Sequence, residues 1–165
     1  MKATDIKGYN LFSDLDDNEL NAIARISTRR NYPVNSIISE PDNCAVDVLL
    51  LEDGNESIQM EIPMKDESSK IVIHTLSKGE VFCWIPLCPA HTRAATIRTI
   101  QPATVIAVDG ASLRKLLQEN EHIGYIVMRN LSCIISARLS YITMVFSHEI
   151  QKRRKLADAW PVTTR

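Results

Sequence analysis

Glycine is scarce in this chain, in which five glycines stand among 165 residues. Average usage of about 7% would give roughly eleven or twelve, and folds rich in turns normally use glycine freely. An excess of charge of one sign is also missing, because 19 basic residues are balanced by 20 acidic ones, for a net charge of −1. The overall charge therefore gives no indication of nucleic-acid binding.

Long hydrophobic runs are missing as well. The first ten residues, MKATDIKGYN, lack the apolar core of a secretion signal. The most apolar stretch, Cys133–Phe146, contains Arg138 and is shorter than the roughly 18 apolar residues of a membrane-spanning helix. We therefore expect a cytoplasmic protein with no membrane segment, whose four cysteines are free thiols rather than disulfides.

The sequence predicts helices at both ends of the chain and strands between them. Apolar residues make up 45% and charged residues 24%, which is ordinary for one soluble domain. A helix is predicted over Leu11–Ile26, with a capping box formed by Asp16 and Glu19. Short β-branched runs then alternate with turn residues, which favours a sandwich or barrel. These runs are Ile37–Ile38, Val46–Leu51, Ser57–Ile62, Ile71–Leu76, Ala94–Ile100 and Thr104–Val108.

Two helices are predicted after the strands. Asp109 is placed to cap a helix over Ala111–Gln118, and a longer helix is predicted from Glu121 to about Arg154. Because apolar residues cover more than one face of the long helix, a second surface is expected to pack against it. The same helix of a second copy is the simplest such surface, which predicts a two-fold homodimer.

The segment Lys78–Thr96, with the sequence KGEVFCWIPLCPAHTRAAT, has the clearest chemical content. An arginine beside small residues, here Arg93 followed by Ala94 and Ala95, lets backbone N–H groups approach an anion while the guanidinium neutralises it. An arginine paired with a neighbouring carboxylate could occur in the same sequence. The residues alone leave both interpretations open.

This segment resembles the phosphate-binding cassette of the cyclic nucleotide-binding domain, the sensor domain of catabolite activator-type regulators and of cyclic-AMP-dependent kinase regulatory subunits. The resemblance rests on Gly79-Glu80-x-Phe82 and on Arg93-Ala94-Ala95-Thr96, set between strands and ahead of a long helix, and it covers roughly residues 9–150. It implies a mainly β fold with flanking helices: a double-stranded β-helix, or jelly roll, with a long C-terminal dimerisation helix. It also implies a regulatory protein of signal transduction, and no nucleophile–base or paired-carboxylate motif indicates an enzyme.

The resemblance gives individual residues a role. Arg93 corresponds to the arginine that pairs with the cyclic phosphate, and Ala94 and Ala95 to the small residues whose backbone faces it. Gly79 and Glu80 correspond to the structural start of the cassette. The predicted ligand-binding residues are Gly79, Glu80, Phe82, Cys83, Trp84, Leu87, Arg93, Ala94, Ala95, Thr96 and Thr143.

The chain departs from the family pattern inside the cassette. The family follows its buried aromatic residue, here Phe82, with Gly-Glu, and that glutamate binds the ribose 2′-hydroxyl, whereas this chain has Cys83 and Trp84. An indole only donates hydrogen bonds, and losing one to a charged group costs about 1.5–3 kcal/mol, or roughly ten- to a hundred-fold in affinity. On the long helix, the two hydroxyl positions that face the base read Ile142 and Thr143. The expected effector is therefore a small anion that binds near the cassette arginine, either a cyclic nucleotide or another compound.

Some of the missing glycines can be assigned to positions in the family pattern. Asn35, Pro41 and Cys83 stand where the family usually has glycine. Asn35 tolerates left-handed backbone better than most residues, and Pro41 restricts its turn by other means.

Other interpretations of the same residues stay open. Trp84 could fill the sugar space, which would make the domain a ligand-free interaction module. The spacing of Cys83, Cys88 and His91 could support redox sensing, and a haem sensor could use His74 and His91. No metal site is predicted, because structural zinc usually needs two ligand pairs and no second pair is nearby.

The expected organisation is a helical segment at 1–28, a β-roll at 29–109 with the cassette at 78–96, C-terminal helices at 110–155 and a tail at 156–165. No helix-turn-helix segment follows the long helix, so we expect no DNA-binding domain and an output through the dimer or a client protein. The residues predicted at the dimer interface are Leu131, Ile135, Arg138, Leu139, Ile142, Val145 and Phe146.

Overall fold

The computed structural model describes residues 1–40, 46–54, 58–63, 70–88 and 95–158. The chain begins with α1 (Ala3–Ile6), a 3-10 helix (Asn10–Phe12) and α2 (Asp17–Arg25). The predicted capping box is confirmed, because Asp16 accepts from the Glu19 N–H at 2.9 Å and Glu19 accepts from the Asp16 N–H at 2.9 Å. The helix begins later than predicted, since a left-handed residue, Asp14 (φ 70), separates it from the 3-10 helix.

In the described part of the chain, eight strands lie between the helices: β1 (Ser27–Tyr32), β2 (Ile37–Ser39), β3 (Asp47–Asp53), β4 (Ile58–Pro63), β5 (Lys70–Leu76), β6 (Val81–Phe82), β7 (Thr96–Thr99) and β8 (Ala103–Asp109). Within the described residues, they form two four-stranded antiparallel sheets, with the orders β1-β8-β3-β6 and β2-β7-β4-β5. This is the jelly roll that the resemblance implied.

The core lies between the two sheets. Leu49 and Leu51 of β3 share one buried cluster with Ile58 and Leu76 of the opposite sheet. The alternate residues of β3, such as Leu50, are also fully buried, as expected for a strand whose two faces are both covered. Helix α3 (Gly110–Glu119) contacts β3 and β8, so helices cover part of the first sheet.

Strand β1 is polar and forms an edge of the first sheet, paired only with β8 among the described strands. Residues 28–31 of this strand are exposed. Arg29 binds Glu52 of β3 through two hydrogen bonds of 2.5 and 2.6 Å. The sequence did not predict this strand, because it has no apolar alternation.

Helix α4 (Glu121–Asp158) follows α3 and has 38 residues. The chain divides into two compact units, Met1–Asn130 and Leu131–Arg165. In the first unit, the Asn130 side chain donates to the carbonyls of Leu11 and Ser13 at 3.3 and 2.9 Å, which ties the start of α4 to the N-terminal helices. None of the helices in the described part of the chain is long and apolar enough to cross a membrane.

Candidate functional site

The cassette starts with a turn that is tied to the core of the first unit. Gly79 has a φ of 88°, a left-handed value that glycine adopts without the steric cost other residues meet. Its N–H donates to the carbonyl of Leu51 at 2.9 Å, and the Leu51 N–H donates to the carbonyl of Glu80 at 2.9 Å. The predicted start of the cassette is therefore held by backbone hydrogen bonds to β3.

The Glu80 carboxylate is engaged within the protein. Its oxygens lie 3.0 and 3.2 Å from Nε2 of His74, and one of them accepts from the Ser77 N–H at 2.8 Å. His74 lies opposite Met60 in the β4–β5 pairing, on the side of the sheet that faces the core. The contact joins β5 to the first turn of the cassette, and the sequence analysis did not predict it.

Phe82 and Cys83 continue the cassette into the core. Phe82 is fully buried, as the resemblance implied, and Cys83 is 7% exposed. Cys83 has a φ of 54° and Asn35 a φ of 63°, so both residues stand at left-handed positions that favour glycine. This conformation agrees with the prediction that Asn35 and Cys83 stand where the family usually has glycine. Pro41, the third such position, lies outside the described residues.

A short 3-10 helix, Ile85–Leu87, follows Trp84 and is called the cassette helix here. Trp84 is half-buried, and its carbonyl accepts from the Leu87 N–H at 3.0 Å. Arg114 of α3 donates to the carbonyl of Pro86. The cassette helix is therefore attached to α3 by a charge-assisted hydrogen bond.

Two glycines allow the helices around the cassette to approach one another closely. A Cβ atom on Gly110, at the start of α3, would overlap the carbonyl oxygen of Val46 and would lie 2.6 Å from the Cβ of Pro86. A Cβ atom on Gly124, in α4, would lie 2.5 Å from the carbonyl oxygen of Leu117 in α3. Both distances are shorter than real Cβ contacts, so side chains at these positions would push the cassette helix, α3 and the start of α4 apart.

An open groove of about 420 Å³ lies where these elements meet. Leu87 of the cassette helix and Leu117 of α3 line it together with Tyr125 and Met128 of α4. Tyr125 is 66% exposed and Met128 45% exposed. This groove was not predicted, because the residues around it are distant in sequence.

The second half of the cassette is only partly described. Arg93, Ala94 and His91 lie outside the described residues. Ala95 is half-buried, and Thr96 begins β7 opposite Glu61 of β4. The roles predicted for Arg93 and Ala94 therefore remain predictions.

Thr143 and the predicted interface residues lie in the second unit. The Thr143 hydroxyl donates to the Leu139 carbonyl at 2.8 Å, so it is used within its own helix. Leu131 is 1% exposed, which leaves little of its side chain for a second copy to cover. Ile135, Leu139, Ile142, Val145 and Phe146 are 40, 64, 37, 41 and 67% exposed, and Arg138 is half-buried.

Among the described cysteines, Cys83, Cys88 and Cys133 are not in disulfide bonds. Among the described residues, no three His, Cys, Asp or Glu side chains form a group that could hold a metal ion. The haem alternative involves His91, which lies outside the described residues.

Comparison with known proteins identifies the fold and the family. Residues 29–120 match the family model described as the cyclic nucleotide-binding domain. A candidate cyclic nucleotide-binding protein from Geobacter metallireducens GS-15 is 25% identical with a TM-score of 0.71, over 84% of this chain and 98% of that one. No curated protein matches the chain.

Two further structures share the fold at lower identity. The Thermus thermophilus catabolite activator protein is 17% identical with a TM-score of 0.67, over 84% of this chain and 62% of that one. The c-di-GMP responsive global regulator CLP of Xanthomonas campestris is 19% identical with a TM-score of 0.67, over 80% of this chain and 63% of that one. With the matched family model covering more than half of its residues, the chain belongs to the cyclic nucleotide-binding domain family.

Proposed function

We propose that this protein is a regulatory sensor that binds a small anionic effector at the cassette and passes the signal to α4. The main support for this proposal is the family match together with the sequence Arg93-Ala94-Ala95-Thr96, which keeps the family's anion-binding pattern. The guanidinium of Arg93 would neutralise the effector, and the backbone of Ala94 and Ala95 would donate to it.

An effector of this cassette would lack one contact that the usual cyclic nucleotides make, the hydrogen bond from the ribose 2′-hydroxyl to a carboxylate. Trp84 stands in place of the carboxylate that binds the ribose hydroxyl, and an indole cannot accept that hydrogen bond. Glu80 does not supply a free replacement, because His74 and the Ser77 N–H already bind its carboxylate. The regulator CLP, described as responsive to c-di-GMP, supports a wider range of effectors for this fold.

Signal transmission would use the contacts between the cassette helix and the helices beside it. Arg114 bonds Pro86, and Gly110 lets α3 approach the same proline. Gly124 gives α4 an equally close approach to Leu117. Because these contacts leave little free space, a shift of the cassette helix would displace α3 and the first turns of α4.

The output would pass through a homodimer formed by α4. The part of α4 that lies in the second unit carries large apolar side chains that are 37 to 67% exposed in the single chain. Monomeric proteins rarely expose large contiguous apolar patches. A second copy or a client protein that contacts α4 would respond to the displacement of the helix.

Calorimetric titration of the folded protein with cyclic AMP, cyclic GMP and cyclic dinucleotides tests the nucleotide form of this proposal. Mass spectrometry of small molecules that co-purify with the native protein covers other anions. Arg93→Ala should abolish binding of any effector found, whereas Arg25→Ala, an exposed change in α2, should not affect it.

A protein that binds no co-purifying compound and no nucleotide would contradict the sensor and favour a ligand-free interaction module. The half-buried Trp84, in place of the ribose-binding carboxylate, is the observation that favours this second candidate. In that case Arg93→Ala would change only the free energy of unfolding.

A further inference from the structure

The groove between the cassette helix, α3 and α4 is lined by large side chains that remain exposed. Tyr125 and Met128 of α4 are 66 and 45% exposed, and Leu87 and Leu117 on the other two elements are half-buried. Tyrosine and methionine are enriched at the centres of protein interfaces, and methionine adapts its shape to irregular apolar partners. The groove therefore has the composition of a contact surface rather than that of an ordinary solvent-facing helix.

The ring of Tyr125 is held in place by its neighbours in the first unit. The Arg129 guanidinium lies 5.9 Å from the centroid of the ring, which is a cation–π contact. Arg129 also donates to the Asp14 carboxylate at 2.6 Å and to the Asn130 side chain at 3.0 Å. An aromatic side chain that is fixed in this way loses little conformational entropy when a partner binds.

The groove has one charge that its surroundings do not compensate. Arg114 already interacts with the Pro86 carbonyl and with the Asp109 carboxylate. Glu121 is exposed, and it forms no ion pair within the part of the chain that the structure describes. A carboxylate beside an apolar surface complements a cationic group on an apolar partner. Anionic lipid surfaces and nucleic-acid phosphates have the wrong charge for this site.

The form of the groove favours a helix over a small molecule. Its lining residues on α4 are Glu121, Gly124, Tyr125 and Met128, which extend along about 10 Å of the helix at 1.5 Å per residue. A pocket for a small ligand usually encloses most of its occupant, whereas this groove is open. A partner helix presents apolar side chains three or four residues apart, and two of them would fill this length.

We propose that this groove docks an amphipathic helix of a client protein, with two large apolar side chains one turn apart and a lysine or arginine beside them. The apolar side chains would pack against the four large side chains of the groove, and the cationic group would bind Glu121. The docking itself requires no effector. Only its regulation rests on the proposed function, because the walls of the groove are the elements that an effector would displace.

Titration of the full chain with a model helix tests the site. The probe is an alanine-based peptide of about sixteen residues, long enough to form a helix, with two leucines four residues apart and a lysine one turn further on. The protein carries ¹³C-methyl labels at its five methionines. The Met128 resonance should shift with a dissociation constant below about 1 mM. The resonance of Met144, which is 62% exposed in the second unit, should not move.

Matched variants assign the contact, and the fluorescence anisotropy of a labelled peptide measures their affinities. Tyr125→Ala and Met128→Ala should each weaken binding by at least about fivefold, because they remove side chains from the centre of the contact. Met144→Ala is the control for an exposed methionine of the same helix and should change the affinity by less than about twofold. The methionine spectrum shows whether each variant is folded.

An exchange of charges tests the role of Glu121. Glu121→Lys should weaken binding of the lysine peptide by at least about threefold and strengthen binding of a peptide with glutamate in place of that lysine. Glu119→Lys is the control, because Glu119 is outside the groove lining and pairs with Lys115 at 3.7 Å. At about 0.15 M salt, where exposed charges more than about 8 Å apart are screened, it should have little effect on either peptide.

The outcomes separate this inference from the sensor. A Met128 resonance that does not move at about 1 mM peptide would overturn the docking site and leave effector binding untouched. Equal losses from Met128→Ala and Met144→Ala would also overturn it, because they would indicate nonspecific apolar contact. If Met128→Ala abolished self-association in sedimentation equilibrium, the groove would be a contact between copies and the client helix would be wrong. A chain that binds the peptide but no effector would keep the docking site and lose its regulation.

Discussion

At the scale of single residues, the scarcity of glycine leaves non-glycine residues in left-handed conformations. Asp14, Asn35 and Cys83 have φ values of 70, 63 and 54°. Aspartate and asparagine visit this region routinely, whereas other residues pay roughly 1–2 kcal/mol for it. Cys83 therefore carries the clearest backbone strain of the three, in the middle of the cassette.

Replacing Cys83 separates this strain from the packing of its thiol. Cys83→Gly and Cys83→Ala both lose the buried sulfur, but only glycine relieves the left-handed backbone. The glycine variant should therefore be more stable than the alanine variant by about 1 kcal/mol. Urea denaturation of both variants measures the difference, and an alanine variant of equal or greater stability would contradict the strain.

Asp109 caps the start of α3, and this cap makes the stability of the fold depend on pH. Hydrogen bonds from the Ser112 side chain and backbone hold the pKa of Asp109 below its ordinary value of 3.8. Because the folded-state pKa is the lower one, the stabilisation is complete above the unfolded-state pKa and is lost as the pH falls through the folded-state pKa.

Asp109→Ala should therefore lower the free energy of unfolding at pH 7 by about 1 kcal/mol, the usual value of an N-cap. The difference from wild type should shrink as the pH is lowered below about 4. Asp109→Asn, which keeps a capping oxygen without the charge, serves as the control, because its stability relative to Asp109→Ala should not change over this pH range. A constant gap for the alanine variant over this pH range would refute the linkage.

At the scale of elements, α3 is joined tightly at both ends. Gly110 allows contact with the cassette helix, and Gly124 of α4 allows contact with the end of α3. Arg114 adds a hydrogen bond to Pro86 at the first of these joints. Helix α3 therefore connects the cassette helix to the start of α4 through close contacts at both of its ends.

Alanine at Gly110 or Gly124 tests these joints. Alanine normally stabilises a helix by up to about 1 kcal/mol relative to glycine, but here its Cβ would overlap Pro86 or the Leu117 carbonyl. We expect each variant to be destabilised by about 1–3 kcal/mol, as for other overpacked sites. Gln118→Ala, at an exposed position of α3, should be neutral or slightly stabilising, and thermal or urea unfolding compares the three.

At the scale of the whole molecule, association and stability are linked if α4 pairs with a second copy. The melting temperature should then rise with protein concentration, because dilution favours dissociation. A rise of roughly 2 °C or more per tenfold concentration is expected for a chain of this size. Leu139→Ala should flatten this dependence, and a wild-type melting temperature that is constant from micromolar to millimolar concentration would contradict the dimer.

Local sequence patterns were sufficient to predict much of the fold. The β-branched runs predicted β3, β4, β5 and β8 to within a few residues, and the cap at Asp109 placed the start of α3. The capping box at Asp16 was also predicted correctly, although the helix was predicted to begin at Leu11 and begins at Asp17. Strand β1 was not predicted, because its polar sequence becomes a strand only by pairing with β8.

The candidate site was predictable where it depends on ordered motifs and not where it depends on sheet register. Phe82 and the left-handed Cys83 follow from the cassette sequence. The contact between His74 and Glu80 requires β5 to turn back at Ser77, and the groove beside Leu87 requires α3 and α4 to meet. Such long-range geometry has no signal in a single sequence.

The polar edge strand has a consequence for how copies of this chain can meet. An exposed sheet edge offers unpaired N–H and C=O groups that can recruit a strand from another molecule. Along β1 that route is discouraged by the exposed Arg29 and Arg30 and by their polar neighbours. Arg29 is ion-paired with Glu52 and Arg30 with Asp47, so a strand added to this edge would have to pack its side chains against charged pairs rather than apolar ones. Resistance to pairing at this edge leaves the long helix as the surface for the proposed self-association, and apolar residues in place of Arg29 and Arg30 are the change that would open the competing route.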